Sequence, residues 1–174
     1  MLTLISKNPS ALFLVSETTA RKEQFDFSTQ ILETKNAVYC NKASKIKISS
    51  ASDLKKYKYA VEKQDVNISL LQDQGVPEKN IILLGSVETA VEHIAAGRIS
   101  CLAFSQPVIE KITKVKGLIN DNIAFVYMLP PSSQAVGFNH QVNGSVVTLF
   151  NNTLTEVLKD KKFIAKIKEQ YGVQ

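Results

Sequence analysis

A serine, a threonine and an arginine follow one another closely near the start of the 174-residue sequence. Ser16, Thr18 and Arg21 come directly after an apolar run, residues 11 to 15, which predicts a buried strand. A strand that ends in hydroxyl residues and turns into a short helix leaves backbone N–H groups at its tip. Those donors and a planar guanidinium together match the two oxygens of a carboxylate. The same residues also fit a strand, a helix cap and a solvated arginine with no ligand.

The composition is that of a globular protein with one ordinary domain or two small ones. Apolar residues make up 44% of the sequence and charged residues 21%, and no apolar run is long enough to cross a bilayer. The net charge of +5 comes from scattered lysines that are not interleaved with aromatic residues, so we expect solvated faces and no nucleic-acid partner. Residues 1 to 6 lack the features of a secretion signal.

Short apolar strands alternate along the chain with helices of about ten residues. The predicted strands are residues 11–15, 37–40, 59–62, 81–84, 99–104 and 122–128. The predicted helices are residues 66–74, 86–96, 107–115 and 145–158, with a final helix after them, the end of another at residues 2–8, and a short one capped by Ser52. Residues 129–133, with two prolines, are expected to be a linker. The alternation predicts parallel strands joined by right-handed crossovers, which is the α/β class.

Three stretches carry a resemblance to a known family. The pattern Ser-x-Thr-x-x-Arg followed by Phe25-Asp26-Phe27-Ser28 resembles the first-lobe signature of bacterial extracellular solute-binding proteins of family 3, the polar amino-acid receptors of ABC importers. The stretch from Gly97 to Phe104 resembles a second family pattern, with Ser100 in place of the usual Asp. The two C-terminal helices ending in Tyr171-Gly172 are typical of the same family.

The resemblance implies a fold and a domain organisation. The fold would be α/β and periplasmic-binding-protein type II-like, with one complete βαβ lobe at residues 42–133. A partial, discontinuous first lobe would comprise residues 1–41 and 134–174. Because the sequence resembles only about the last three quarters of such a protein, the resemblance also implies an N-terminal truncation.

The resemblance also implies a ligand site. Its six residues are Ser16, Thr18, Arg21, Gln64, Asp65 and Ser105. Arg21 would hold the ligand carboxylate with the two hydroxyl residues beside it. The family has a Gly-Ser/Thr step where this sequence has residues 63 to 66, and an ammonium-binding Asp where it has Ser105. With both anchors changed, we expect a carboxylate or a neutral polar ligand, and Asp65 and Ser105 have the alternative role of capping the helices that follow them.

The function implied by the resemblance is non-enzymatic. We expect a solute-binding transport receptor for a small polar or carboxylate ligand, working with an ABC permease in the periplasm, or in the cytoplasm if no signal precedes it. Neither His93 nor His140 has a metal ligand at suitable spacing, and no nucleotide or hydrolase motif is present, so we expect no metal and no cofactor. The alternatives are a ligand-free protein-interaction or structural module and the sensor lobe of a larger protein.

Two further expectations concern covalent and quaternary structure. Cys40 and Cys101 lie in separate apolar strands, and we expect two buried thiols. A partial first lobe would leave a sheet edge and an apolar helix face uncovered, so we expect a homodimer or an exchange of elements between copies.

Overall fold

The computed structural model describes residues 8–115 and 122–171, and the chain divides into two compact units. The first unit comprises Met1–Glu33 and Ser133–Gln174, and the second comprises Thr34–Ser132. Both boundaries fall inside long strands, so the backbone passes from one unit to the other without a loop. The predicted helix end at residues 2–8 lies outside the described residues, except for Asn8.

Within the described ranges the elements follow the predicted alternation. The strands are β1 Ala11–Ser16, β2 Phe25–Phe27, β3 Leu32–Asn41, β4 Tyr59–Glu62, β5 Ile81–Leu84, β6 Cys101–Ser105 and β7 Ile123–Asn139. The helices are α1 Thr19–Lys22, α2 Ala51–Leu54, α3 Val66–Asp73, α4 Val87–Ala95, α5 Gln106–Val115, α6 Gly144–Lys159 and α7 Lys161–Tyr171. Single 3₁₀ turns cover Lys42–Ser44 and Glu78–Asn80.

The second unit is built on a mixed sheet with the strand order β7-β3-β6-β4-β5. Strand β4 lies between β5 and β6 and runs parallel to both, whereas β3 pairs with β6 in the antiparallel sense. Parallel neighbours joined by helices are the α/β arrangement that the sequence predicts, and the α/β fold class is confirmed.

Alternate residues of each strand in the second unit enter two separate cores. Ala37 and Tyr39 of β3 pack on one face of the sheet with α4 and α5, and Val38 and Cys40 pack on the other face with α2 and α3. This is the two-residue period of a strand that is covered on both sides. Four apolar residues of α4 recur at helical spacing and are buried: Val87, Ala90, Val91 and Ile94.

In the first unit, β1 and β2 both pair antiparallel with the last residues of β7. Ala11 lies opposite Phe138, and Phe25 lies opposite Asn139. Phe25 and Phe138 are buried, and the Phe138 ring meets Phe150 of α6 edge-to-face, with 5.2 Å between the ring centroids. No residue of α6 is buried, so the apolar stripe of this helix lies largely at the surface of the unit.

The predicted burial of β1 is wrong. Phe13 is 73% exposed, and Leu14 is also exposed, at a left-handed φ of 53°. The pairing of β1 with β7 shifts register between Leu12 and Val15, which marks a β-bulge. The bulge interrupts the alternation of side chains, and Ser16 at the end of the strand is its one buried residue.

Two predicted boundaries are also corrected. The linker at residues 129–133 is instead the middle of β7, where Pro130 and Pro131 are both exposed. The N-cap of α2 is Ser50, because Asp53 three residues further on completes a capping box with it. Ser52 lies inside the helix.

The expectation of two free thiols is wrong. Cys40 and Cys101 form a disulfide across the antiparallel pair β3 and β6, where they lie directly opposite each other. Both residues are almost fully buried. The bond therefore joins the two strands inside the core of the second unit.

Candidate functional site

The first group of predicted site residues lies where β1 ends and α1 begins. The Arg21 guanidinium donates from Nη1 to the Ser16 carbonyl oxygen at 2.8 Å. The Thr18 hydroxyl accepts from the Arg21 backbone N–H at 3.2 Å and so caps α1. The three residues predicted from their spacing are therefore in contact, and the guanidinium is half-buried and held against the strand end.

Gln134 is a partner of this group that the sequence analysis did not identify. Its Nε2 donates to the Ser16 hydroxyl at 2.7 Å from the paired strand β7. The adjacent Glu17 N–H donates to the Ser133 carbonyl at 3.0 Å. Because these partners lie more than a hundred residues away along the chain, only the pairing of β1 with β7 reveals them.

The local charge around Arg21 is mixed. Lys22 forms an ion pair with Glu17 at 3.0 Å, and its side chain is largely exposed. Exposed pairs of this kind contribute little to stability. The arginine is therefore the cation that the fold orients, and a half-buried guanidinium suits a planar, two-oxygen anion.

The second group lies where β4 ends and α3 begins. Asp65 caps α3, accepting from the Asn67 backbone N–H at 2.8 Å and from its side-chain Nδ2 at 2.6 Å. Gln64 precedes it at a left-handed φ of 67°, with its side chain exposed. The capping role considered for Asp65 is thus present, and it directs the carboxylate toward its own helix.

A buried amide network continues from Asp65 into the sheet. Asn67 Nδ2 also lies 3.4 Å from Asn36 Oδ1, and Asn36 Nδ2 donates to the Ser132 hydroxyl at 3.0 Å. Asn36 and Asn67 are fully buried. Ser105, the last residue of β6, lies opposite Asn36 in the strand pairing. The three predicted residues of the second unit thus lie along one polar edge, where the parallel strands have their carboxyl ends.

Buried acceptor oxygens characterise this edge. Asn67 Oδ1 and Gln106 Oε1 are buried, and neither has a hydrogen-bond donor among the described residues. A buried acceptor left unpaired costs roughly 1–3 kcal/mol, so each would be stabilised by an N–H or O–H group. Gln106 is the first residue of α5, and its Nε2 donates to Glu110 Oε1 at 2.7 Å.

The electrostatics of the same edge are acidic. Burial raises the pKa of the Glu62 carboxyl at the end of β4, and the carboxylates of Asp65 and Glu88 raise it further. Negative groups gathered at the ends of strands disfavour a second carboxylate there. Chemically, the edge favours hydrogen-bond donors and positive charge, whereas the Arg21 group favours an anion.

The six predicted residues thus form two groups, Ser16, Thr18 and Arg21 in the first unit and Gln64, Asp65 and Ser105 in the second. Their roles toward a ligand stay predictions. The residues that sequence reasoning missed are Gln134, Asn36, Asn67 and Gln106. Asn36 lies between Lys35 and the apolar run 37–40 of β3, so no local pattern indicated that its amide is buried.

No group of three or more His, Cys, Asp or Glu side chains in residues 8–115 and 122–171 is placed to hold a metal ion. None of the described helices combines the length and the apolar character needed to cross a bilayer.

Several solved structures share this architecture. A histidine kinase sensor domain with similarity to periplasmic binding proteins matches with a TM-score of 0.79 and 17% identity, over 95% of this chain and 71% of that chain. An ancestral arginine-binding protein bound to arginine matches with a TM-score of 0.70 and 22% identity, over 90% of this chain and 68% of that chain. The chain has a periplasmic-binding-protein-like fold.

A third neighbour with this periplasmic-binding-protein-like fold is the GluR0 ligand-binding core from Nostoc punctiforme in complex with glutamate. It matches with a TM-score of 0.70 and 17% identity, over 96% of this chain and 74% of that chain. These neighbours are ligand-binding proteins and a sensor domain. No protein-family model matches the sequence, and no curated protein matches it. At these identities the likeness establishes the fold.

Proposed function

We propose that the chain is a non-enzymatic receptor for a small polar or carboxylate ligand. The main observation behind this proposal is the half-buried Arg21 guanidinium, which is hydrogen-bonded to the Ser16 carbonyl at the end of β1. Structural neighbours that bind arginine, glutamine and glutamate support a ligand-binding role. In this proposal Arg21 binds the carboxylate, and Ser16 and Thr18 position the guanidinium.

The polar edge of the second unit has its own chemistry in this proposal. The unpaired acceptors on Asn67 and Gln106 and the acidic groups around Glu62 suit a ligand that also carries N–H or O–H donors. Gln64, Asp65 and Ser105 belong to the same edge. The Arg21 group therefore favours a ligand with a carboxylate, and the edge of the second unit favours a ligand with donor groups.

The disulfide supports a localisation outside the cytoplasm. Disulfides persist in oxidising compartments such as the periplasm and are rare in the cytosol. The buried bond between Cys40 and Cys101 is therefore in keeping with a periplasmic protein, and an ABC permease is the proposed downstream partner.

The direct test is calorimetry on the intact chain with L-arginine, L-glutamine, L-glutamate and succinate. We expect at least one ligand to bind the wild type. Arg21→Ala should weaken that ligand by roughly 10- to 100-fold, since hydrogen bonds to charged groups contribute about 1.5–3 kcal/mol. Arg21→Lys should recover part of the loss, because it restores charge without the planar fork.

Lys22→Gln is the matched control. It removes one positive charge from the same short helix, at a side chain that pairs only with Glu17 in the described structure. It should leave affinity within about twofold, because exposed pairs are weak. Equal affinity in the wild type and Arg21→Ala would remove Arg21 from the site, and no heat with any of the four ligands would remove this ligand class.

A sensor lobe is the second candidate function. The sensor domain of a histidine kinase has the highest TM-score of the neighbours described above. A receptor and a sensor lobe both require ligand binding, so the calorimetry tests what they share. A ligand-free interaction module predicts no heat and no rise in melting temperature with any ligand.

We also propose that the chain forms a homodimer. The first unit has exposed apolar side chains on β1 and α6. The most exposed of these are Phe13, at 73%, and Leu149, at 68%. Large apolar side chains that stay exposed to water favour association. Sedimentation velocity would detect the dimer as a mass that rises with concentration.

A further inference from the structure

A lysine-lined pocket lies in the second unit, at the end of the sheet where β3 finishes and β6 and β7 begin. Its volume is about 420 Å³, which is within the range of small-molecule sites. The segment from Cys40 to Ser49 forms one wall, and residues 124–126 of β7 form the other. Cys40 lies opposite the first residue of β6 and Asn36 opposite its last, so the pocket and Ser105 are separated by about 13 Å along the strand.

The pocket carries concentrated positive charge. Its described lining includes Lys42, Lys45 and Lys47 and no acidic residue. In the part of the chain that the structure describes, Lys45 and Lys47 form no ion pair. Lysines whose charge is not neutralised locally attract anions from solution.

The backbone that presents these lysines is held in an unusual conformation. Lys45 has a left-handed φ of 51° and ends the 3₁₀ turn, with its N–H bonded to the Lys42 carbonyl at 3.2 Å. For a residue other than glycine this conformation costs on the order of 1 kcal/mol and is enriched at ligand sites. The turn reverses the chain, so that Lys42, Lys45 and Lys47 line the same pocket.

One of the lining residues, on β7, is aromatic. Phe125 of β7 is 52% exposed, and it meets the buried ring of Tyr39 edge-to-face, with 6.1 Å between the ring centroids. Ile46, Ile48 and Val126 extend the apolar lining. An exposed ring that is supported by a second ring provides a flat apolar surface on which another ring can stack.

We infer that this pocket binds a small organic anion that carries a planar apolar group. The lysines hold the acid group, and the planar group lies on Phe125. An aromatic carboxylate has both features in one molecule. None of the six residues proposed for the receptor site lines this pocket, so this inference and the receptor proposal can fail separately.

The test uses backbone amide NMR of the intact chain with indole-3-acetate as the probe. Acetate supplies the same acid group without the ring, and tryptamine supplies the same ring with a positive charge. We expect saturable shifts at residues 45–49 and 124–126 with indole-3-acetate, at a Kd of about 1 mM or lower. Acetate and tryptamine at the same concentrations should give no saturable shift there.

The matched variants separate a specific site from general charge attraction. The double variant Lys45→Gln/Lys47→Gln should weaken indole-3-acetate at least fivefold, and Phe125→Ala should do the same. Lys58→Gln/Lys63→Gln removes the same charge from exposed positions outside the pocket lining and should leave the Kd unchanged. All variants lie at the surface, and retained amide dispersion verifies folding.

Three results would overturn the inference. The first is binding by the Lys45/Lys47 double variant at wild-type strength. The second is an equal response to tryptamine, which would show that the pocket does not distinguish a negatively charged ligand from a positively charged one. The third is the absence of any saturable shift at the pocket residues up to 10-fold above the expected Kd of about 1 mM.

Discussion

Removing the disulfide between Cys40 and Cys101 should cost about 4 kcal/mol of unfolding free energy. The two residues are separated by 61 positions, and closing a loop of that length removes about 14 cal/mol/K from the entropy of the unfolded chain, or about 4 kcal/mol at 25 °C. The suitable change is Cys40→Ala/Cys101→Ala, because alanine leaves no polar group in the core where both residues are buried.

Urea unfolding of the oxidised wild type and the double variant measures this difference. A domain of ordinary stability has 5–15 kcal/mol in total, so the variant should unfold at a much lower urea concentration. Its dependence on urea should also be steeper, because an unfolded chain without the cross-link exposes more surface. A single Cys40→Ala variant controls for the loss of one sulfur atom. Its unfolding free energy should be close to that of the double variant.

Thiol titration tests the premise itself. In guanidinium without reductant, protein folded under oxidising conditions should show no free thiol, and after reduction it should show both cysteines. Two thiols before reduction would mean that the bond does not form. A stability difference below about 1 kcal/mol would mean that constraint of the unfolded chain is not what the bond contributes.

Two further predictions concern stability. Tyr59 is fully buried, and its hydroxyl donates to the Leu54 carbonyl at 2.8 Å, which also accepts from the Tyr57 N–H at 3.3 Å. Tyr59→Phe removes one of these two bonds and should lose about 0.5–1.5 kcal/mol in urea unfolding; wild-type stability would show that the bond contributes nothing. Because the pKa of Glu62 is raised in the folded state, its ionised form opposes folding at neutral pH. Glu62→Gln should therefore melt higher than the wild type at pH 7, and the gain should shrink as pH falls through the raised pKa toward the ordinary value of 4.5; a pH-independent difference would refute this cause.

Local patterns were sufficient for most elements of the second unit. The spacing of Val87, Ala90, Val91 and Ile94 places all four on one face of a helix, and that face is the one that is buried. Ser86, directly before the helix, is its N-cap. Strand β4 is a short apolar run with exposed polar residues after it, and it lies where the sequence predicts. In such segments the local preference and the tertiary packing agree.

Errors arose where pairing between distant residues decides the outcome. The disulfide depends on the register that places Cys40 opposite Cys101, which neither strand determines alone. The exposure of Phe13 depends on a bulge in the pairing of β1 with β7. Pro130 lies in a strand because of the strands that pair with β7, and the sequence around Pro130 does not determine that pairing. Register is a property of two segments, so single-segment patterns do not contain it.

In the candidate site, too, contacts between residues close in the sequence were predictable and contacts between distant residues were not. The contact between Arg21 and Ser16 spans five residues, and the spacing of the motif was enough to predict that they lie together. The amide network from Asn67 to Asn36 spans 31 residues, and that from Asn36 to Ser132 spans 96. Nothing in the sequence near Asn36 distinguishes it from a strand residue that faces solvent.

That difference matters for ligand chemistry, because the network changes what the second unit can recognise. With Asp65 engaged by Asn67 and the pKa of Glu62 raised, the edge has more acceptors than its own donors satisfy. A carboxylate there would add negative charge and no donor, whereas an amide, hydroxyl or ammonium group would supply what is lacking. The absence of an acidic residue at position 105 therefore does not remove the preference for donors. Buried amide oxygens supplied by other strands and helices produce that preference instead.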